Sequence, residues 1–130
     1  MTDLRELPKP TDAELSILRV LWQRGFATVR EIHDALSLHK PMGYTTVLKL
    51  LQIMTEKGLV LRNEAERAHV YQATQSQDVA QNRMVGDLVE KLFDGSAQKL
   101  VLHALNNRKA SMEEMQEIRR LLDSLEGEDS

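Results

Sequence analysis

The chain has 130 residues, of which 42% are hydrophobic, and a formal net charge of −3 at pH 7. This length allows one or two small domains, and the hydrophobic fraction excludes a globally disordered chain. Cysteine is absent, which excludes disulfides and cysteine-ligated zinc, and no run of about 18 apolar residues could span a membrane. We therefore expect a cytoplasmic protein without membrane insertion.

The charge is unevenly distributed along the chain. Residues 1–74 carry a net charge of +1, whereas residues 75–130 carry a net charge of −4. DNA contact depends on the local surface rather than on the total charge, so an acidic second half can face away from phosphate. The distribution is compatible with nucleic-acid binding by the first half but does not require it.

Two capping boxes predict where the first two helices begin. Thr11 and Thr28 are each followed three residues later by a glutamate, and in such a pair each side chain accepts from the other residue's backbone N–H. Gly25 predicts the end of the first helix, and Pro41 places residues 37–42 in a loop. The apolar positions that should face the core are Leu15, Leu18, Leu21 and Trp22 in the first helix and Val29, Ile32, Ala35 and Leu36 in the second.

Residues 44–57 form a third predicted helix, which Gly58 ends. Its apolar residues recur at helical spacing and predict one buried face; they are Val47, Leu50, Leu51 and Met54. The opposite face carries hydroxyls, an amide and a lysine, with no acidic residue before Glu56; its members are Tyr44, Thr45, Thr46, Lys49 and Gln52. Such a face suits a DNA major groove, where phosphate would repel an acid.

A predicted β-hairpin follows this helix directly. Residues 59–63 and 69–73 are short β-prone runs, and the polar residues 64–68 join them. Helices followed by such a hairpin have the layout of a winged helix-turn-helix. We therefore predict a mainly α fold with a small β-hairpin wing, in which residues 1–74 form a winged-helix DNA-binding domain.

Residues 75–130 are predicted to form three further helices. Each should begin at a capping serine, and these serines are Ser76, Ser96 and Ser111. The first of the three should run through Phe93. Breaks are expected at Asp94-Gly95 and at Asn106-Asn107.

These three helices are predicted to be a dimerisation region. Helices of this total size bury little surface alone, and palindromic DNA sites favour two-fold symmetric proteins. We therefore expect their apolar stripes to pack against a second copy, with packing onto the first domain as the alternative. The residues assigned to the dimer interface are Val85, Leu88, Leu92, Leu100, Ile118, Leu121 and Leu122.

The chain resembles the penicillinase-repressor family (BlaI/MecI type) of winged-helix transcriptional repressors. The match runs from about Pro8 to Leu125, and its most specific part is Tyr44 to Val47 with the later Lys57-Gly58. The other matching segments are Glu14, Ile17-Leu18, Leu21-Trp22, Ala27 to Ile32, Leu59-Val60, Arg67 to Tyr71 and Phe93 to Ser96.

The resemblance implies a homodimer that binds a palindromic operator in double-stranded DNA and blocks transcription, for example of a β-lactam-response operon. It also implies relief by proteolysis of the dimerisation region, set off by a membrane sensor metallopeptidase, or by a metal in a copper-responsive branch. That branch uses C-terminal cysteines, which this chain lacks. The proteolysed members are cut at an Asn–Phe bond, whereas here Leu100-Val101-Leu102 is followed by His103. The family often has glycine before the wing arginine, where this chain has Glu66.

Seven residues are assigned to DNA contact. Thr45, Thr46 and Lys49 should face bases, because threonine and lysine can reach base edges in the major groove. The residues assigned to the DNA backbone are Lys40, Tyr44, Arg67 and Arg30. Each also has a simpler interpretation: the threonines could cap the first helical turn, Tyr44 could be a packed anchor, and the cations could be solvated.

The sequence predicts neither a catalytic nor a metal site. The four histidines are His33, His39, His69 and His103. They are not paired at i, i+4 on a helix, so they do not indicate a metal site. The sequence also has no nucleophile–histidine order typical of an enzyme and no glycine-rich phosphate loop. The acidic residues are expected on solvated helix faces. We therefore predict a non-enzyme without cofactors. The alternative hypotheses are a winged-helix protein–protein adaptor and a DNA-binding regulator that responds to a small effector.

Overall fold

The computed structural model describes residues 8–65 and 67–128, so Glu66 lies outside the described residues. The described chain contains six α-helices and three short strands. In chain order they are α1 (Asp12–Arg24), β1 (Ala27–Thr28), α2 (Val29–Ser37), α3 (Tyr44–Lys57), β2 (Val60–Asn63), β3 (Val70–Ala73), α4 (Gln77–Lys91), α5 (Ala97–Asn107) and α6 (Met112–Glu128). The fold is mainly helical with a small antiparallel sheet, as the sequence predicts.

The chain divides into two compact units between Val85 and Gly86, within α4. The sequence places its boundary earlier, after Thr74, where the hairpin ends. The first unit thus contains α1 to α3, the three strands and the start of α4. The assignment of residues 1–74 to DNA binding and of residues 75–130 to dimerisation stays a prediction.

Helices α1 and α2 begin at the predicted capping boxes. The Thr11 hydroxyl accepts from the backbone N of Glu14 at 3.2 Å, and the Glu14 carboxylate accepts from the backbone N of Thr11 at 2.8 Å. Thr28 and Glu31 make the same two hydrogen bonds at 3.2 and 2.9 Å. Each box satisfies N–H groups that the first turn of a helix leaves without partners, which fixes where both helices begin.

Helix α3 has the bounds that the sequence predicts, and Gly58 ends it with a φ of 82°, a left-handed conformation that favours glycine. Val47, Leu51 and Met54 are completely buried, and Leu50 packs against the same core partly buried. The other buried apolar residues of this core are Ile17, Leu18, Leu21, Ala27, Val29, Ile32, Leu59, Val60 and Tyr71. The core therefore holds α3 by one face and leaves the opposite face to solvent.

The buried stripe of α1 differs from the prediction. Ile17 is completely buried, whereas Leu15 is only partly buried. The buried positions of α1 are Glu14, Ile17, Leu18 and Leu21, which follow helical spacing. Because the first of them is an acidic residue, a search for apolar residues at this spacing does not find this stripe. Trp22 lies partly buried at the edge of the core, where its Nε1 donates to the carbonyl oxygen of Gln75 at 2.9 Å.

The sheet has the strand order β1-β3-β2, and both strand pairs are antiparallel. The predicted hairpin is confirmed as β2 and β3, with Val60 opposite Ala73. The sheet also contains β1, which the sequence does not predict and which pairs Ala27 with Tyr71. A strand of two residues shows no alternation of polar and apolar side chains, so periodicity could not find it. Through this pairing β3 is the central strand, between β2 and the short β1 that leads into α2.

Glu14 is buried, with 1% of its surface exposed, so the expectation that acidic residues lie on solvated faces is wrong for this residue. Its carboxylate oxygens accept from Nζ of Lys57 at 2.9 and 3.0 Å. Burial raises the pKa of the Glu14 carboxyl, but hydrogen bonds from Thr11 and Lys57 and the charge of Lys57 outweigh it, and the pKa lies below its usual value. The ion pair joins the start of α1 to the last residue of α3.

The free energy of unfolding should decrease as the pH falls below about 4.3. Because the pKa of Glu14 is lower in the folded chain, the ion pair stabilises the fold above the unfolded-state pKa of about 4.3. This stabilisation is lost as the pH falls through the lower, folded-state pKa. Urea unfolding between about pH 3 and pH 7 measures the effect. The Glu14→Gln variant should lose less stability over this range, and equal losses in both proteins would contradict the assignment.

The three helix starts predicted after Thr74 are confirmed, and at the start of α4 the Ser76 hydroxyl accepts from the backbone N of Val79 at 3.2 Å. The Ser96 hydroxyl accepts from the backbone N of Lys99 at 3.2 Å, at the start of α5. Ser111 and Glu114 form a capping box at the start of α6, with both hydrogen bonds at 3.1 Å. These caps replace the missing intrahelical partners of the first turns.

Two helix ends differ from the prediction. Helix α4 ends at Lys91 rather than Phe93, and the chain then turns through Asp94 and Gly95, which have φ values of 52° and 80°. Helix α5 continues through the expected break at Asn106-Asn107, because the backbone N of Arg108 still donates to the Ala104 carbonyl at 3.1 Å. Asparagine has only a modestly unfavourable helix propensity, so two asparagines do not end the helix while its backbone hydrogen bonds continue.

Among the described residues from 72 to 127, none is buried. Helices α4, α5 and α6 and the turn after α4 instead expose many large apolar side chains, namely Val79, Val85, Leu88, Leu92, Val101, Leu102, Met112, Leu121, Leu122 and Leu125. Of the seven residues assigned to a dimer interface, five are exposed and two, Leu100 and Ile118, are partly buried. Apolar surface of this extent on one chain is typical of an interaction site.

Candidate nucleic-acid interface

The polar face of α3 is exposed along its length. Tyr44 is 44% exposed, and the other members of this face, Thr45, Thr46, Lys49 and Gln52, are exposed as well. The N-cap of α3 is Gly43, which makes no side-chain capping hydrogen bond. The three residues assigned to base contact therefore lie on one solvent-facing side of a helix whose other side is anchored in the core.

A cleft of about 460 Å³ lies beside the start of α3, and we call it the wing cleft. Three parts of the chain line it: the start of α2, the first half of α3, and the hairpin. Its lining residues are Thr28, Val29, Arg30, Tyr44, Leu48, Arg67, Ala68, His69 and Tyr71. Two arginines and a histidine are in this set, and none of the described residues that line the cleft is acidic, so this lining is suited to an anion.

Two side chains from α2 hold the ring of Tyr44 at the wing cleft. The Arg30 guanidinium carbon lies 5.9 Å from the centroid of the Tyr44 ring, within the range of a cation–π contact. The His33 ring meets the Tyr44 ring edge-on, with centroids 5.9 Å apart. These contacts restrict the tyrosine ring while leaving it partly exposed.

The structure brings three of the four residues assigned to the DNA backbone together. Arg30, Tyr44 and Arg67 all line the wing cleft, whereas Lys40 lines a different groove of about 420 Å³ beside α1. Two residues at this site are not among those assigned from the sequence: His69 lines the wing cleft, and His33 contacts Tyr44. For His69 a signal was present, because it lies between Arg67 and Tyr71 in the wing segment.

The described residues contain no group of three or more His, Asp or Glu side chains placed to hold a metal ion. None of the helices in the described part of the chain is long and apolar enough to cross a membrane.

The sequence matches the penicillinase repressor family over residues 10–124. It is 33% identical over 125 residues to the transcriptional regulator BlaI of Mycobacterium tuberculosis, with 95% of this chain and 89% of that protein covered. It is 22% identical over 120 residues to the penicillinase repressor of Bacillus licheniformis, covering 92% of this chain and 94% of the repressor.

A solved structure supports the fold. The solution structure of the monomeric form of Bacillus licheniformis BlaI in complex with the blaP half-operator superposes with a TM-score of 0.50 at 23% identity, covering 56% of this chain and 89% of that one. At this identity the superposition shows a shared winged-helix fold. Because the family match covers most of the sequence and the mycobacterial relative is similar along nearly its whole length, the chain belongs to the penicillinase repressor family of transcriptional repressors.

Proposed function

We propose that this chain is a cytoplasmic homodimeric repressor that inserts α3 into the major groove of a palindromic operator. The observation that carries the proposal is the two-sided character of α3. Its inner face is completely buried at Val47, Leu51 and Met54, while its outer face is polar, exposed and free of acidic residues before Glu56. A helix anchored in this way can present side chains to base edges without losing its support.

In this proposal the outer face of α3 and the wing cleft have different roles. Thr45, Thr46 and Lys49 face base edges, where they determine sequence preference. Arg30, Tyr44 and Arg67 contact the sugar-phosphate backbone from the wing cleft, and Lys40 contacts it separately from the loop before α3. Backbone contacts fix the position of the protein on the duplex but carry no sequence information directly.

The proposed dimer uses α4, α5 and α6. The exposed apolar side chains there, and the lack of any buried residue from 72 to 127, support packing against a second copy. A two-fold dimer presents two α3 helices to the two halves of a palindrome, with half-site centres about 10 bp apart or a multiple of that.

We further propose that a membrane sensor metallopeptidase relieves repression by cleaving the chain. The sequence has no Asn–Phe bond, and His103 follows the exposed Val101 and Leu102. Proteolytic relief, for a β-lactam-response operon or another one, therefore requires cleavage at a different bond. Mass spectrometry of the chain recovered from induced cells would identify that bond.

The Lys49→Ala variant should bind the operator more weakly by about 1–3 kcal/mol and discriminate less at one base position. The reason is that Lys49 is exposed on the outer face of α3 and can donate to guanine. Fluorescence anisotropy with the operator and with single-base variants of it measures both effects. The matched control is Lys99→Ala, an exposed lysine on α5.

Salt dependence distinguishes the repressor from a protein-binding adaptor. Binding through several phosphates should weaken with salt at a log–log slope near −0.9 for each phosphate contact. If the Lys49→Ala variant keeps the operator affinity and specificity of the wild type, Lys49 does not contact the operator.

A further inference from the structure

We infer that the wing cleft binds a single backbone phosphate of the operator, and that protonated His69 is one of its ligands. This inference rests on the proposed function and adds a residue and a proton dependence to it. The sequence analysis gave His69 no role. The structure places it among the lining residues of a cleft that also contains Arg30 and Arg67.

The wing cleft is lined by cationic and hydroxyl side chains. Its cationic groups come from two separate elements, with Arg30 at the start of α2 and Arg67 and His69 in the hairpin. Hydroxyls of Thr28 and Tyr44 are in the same lining. These cationic and hydroxyl donors match the acceptor oxygens of a phosphodiester, and arginine can bind phosphate through two parallel hydrogen bonds.

The position of the cleft also supports a phosphate contact. Tyr44 lines the wing cleft, and it is followed directly by Thr45 and Thr46 on the exposed face proposed to enter the major groove. A duplex whose bases meet these threonines places its phosphates at the edge of the groove, beside the same end of α3.

A histidine in the wing cleft can couple DNA binding to proton uptake. Histidine is the side chain that gains or loses its charge near neutral pH. Among the described residues, the titratable and charged groups that line the cleft with His69 are Arg30 from α2, Tyr44 from α3, and Arg67 and Tyr71 from the hairpin. The two arginines keep their charge at all pH values used in binding experiments. A bound phosphate favours the protonated imidazole ring, so protonation of His69 and DNA binding should strengthen each other.

The test measures affinity against pH with the full chain and a defined duplex. The duplex is the one that the wild-type chain selects from a random-sequence pool. From about pH 8 to pH 6 the wild type should bind about fivefold more tightly, within the limit of tenfold per pH unit that uptake of one proton allows. The His69→Gln variant should lose this increase. At about pH 6 it should also weaken binding to an unrelated duplex by the same factor, because a phosphate contact is independent of sequence.

The chain offers two matched controls. His39 lines the separate groove beside α1, so His39→Gln should keep the wild-type pH dependence. His33→Gln should keep it as well, because the His33 ring contacts Tyr44 and is not in the lining of the wing cleft. If His33→Gln alone removes the pH dependence, the proton belongs to His33 and the inference about His69 is wrong.

A chemical change in the DNA tests the single phosphate. A neutral methylphosphonate at one backbone position of each half-site should remove the pH dependence of wild-type binding. The same substitution at other backbone positions should leave the pH dependence unchanged. If operator binding is steeply salt-dependent but His69→Gln retains the wild-type pH profile, only the inference fails. If the wild type binds no duplex at any pH, the proposed function and the inference fail together.

Discussion

Replacing Lys57 with methionine should lower the free energy of unfolding by about 2–4 kcal/mol. The variant leaves the Glu14 carboxylate, which is 1% exposed, without the ammonium group that donates to both of its oxygens. Removing one partner of a fully buried ion pair costs about 3–5 kcal/mol, and the expected loss is smaller here because the Lys57 side chain is 29% exposed. Urea unfolding at neutral pH, followed by circular dichroism, measures it.

Two further variants separate the ion pair from other effects of the substitution. Lys49→Met makes the same change at an exposed position of the same helix and should alter stability by less than about 0.5 kcal/mol. The double variant Glu14→Gln/Lys57→Met should be more stable than Lys57→Met alone, because no buried charge then lacks a partner. If Lys57→Met unfolds at the wild-type urea concentration, the pair does not secure α3.

Placing aspartates at Leu88 and Leu122 should convert the protein to a monomer and weaken operator binding by about 100-fold or more. These residues are 41% and 54% exposed in the single chain, so the substitutions should not unfold it. In the proposed dimer they would instead place charges in an apolar interface. A monomer holds one half-site at a time and loses the gain of about 10²–10⁴ that two linked binding sites provide.

Analytical ultracentrifugation and an operator titration measure the two effects of this variant. Leu38→Asp is the matched control for the oligomeric state, because Leu38 is 82% exposed but lies in the first unit. It should remain dimeric. A wild-type chain that sediments as a monomer, or a double variant that stays dimeric with full affinity, would refute the proposed interface.

Local sequence signals predicted the helices of the first unit well. The capping boxes at Thr11 and Thr28 and the glycine at Gly58 act within one helical turn, so reading them requires no knowledge of the rest of the fold. For the same reason the bounds of α3 were predicted correctly. Strand β1 and the burial of Glu14 could not be predicted, because both depend on contacts with distant residues, Tyr71 and Lys57 respectively.

The candidate interface was predictable to a similar extent. Helical periodicity assigned the polar residues of α3 to one face, and the structure places them there, exposed. It could not show that Arg30, Tyr44 and Arg67 line one cleft while Lys40 lines another, because the distance between α2 and the hairpin depends on the sheet. The sequence places His69 in the wing segment, between Arg67 and Tyr71, but it could not show that His69 lines the same cleft as Arg30.

Selection of duplexes from a random-sequence DNA pool by the full chain tests the central claim most directly, which is that two copies of α3 read the two halves of a palindrome. We expect an inverted repeat whose half-site centres are about 10 bp apart, or a multiple of that. We also expect Lys49→Ala to select a repeat with relaxed preference at one symmetric pair of positions. Recovery of unenriched DNA, or of a single half-site without a symmetric partner, would contradict the claim.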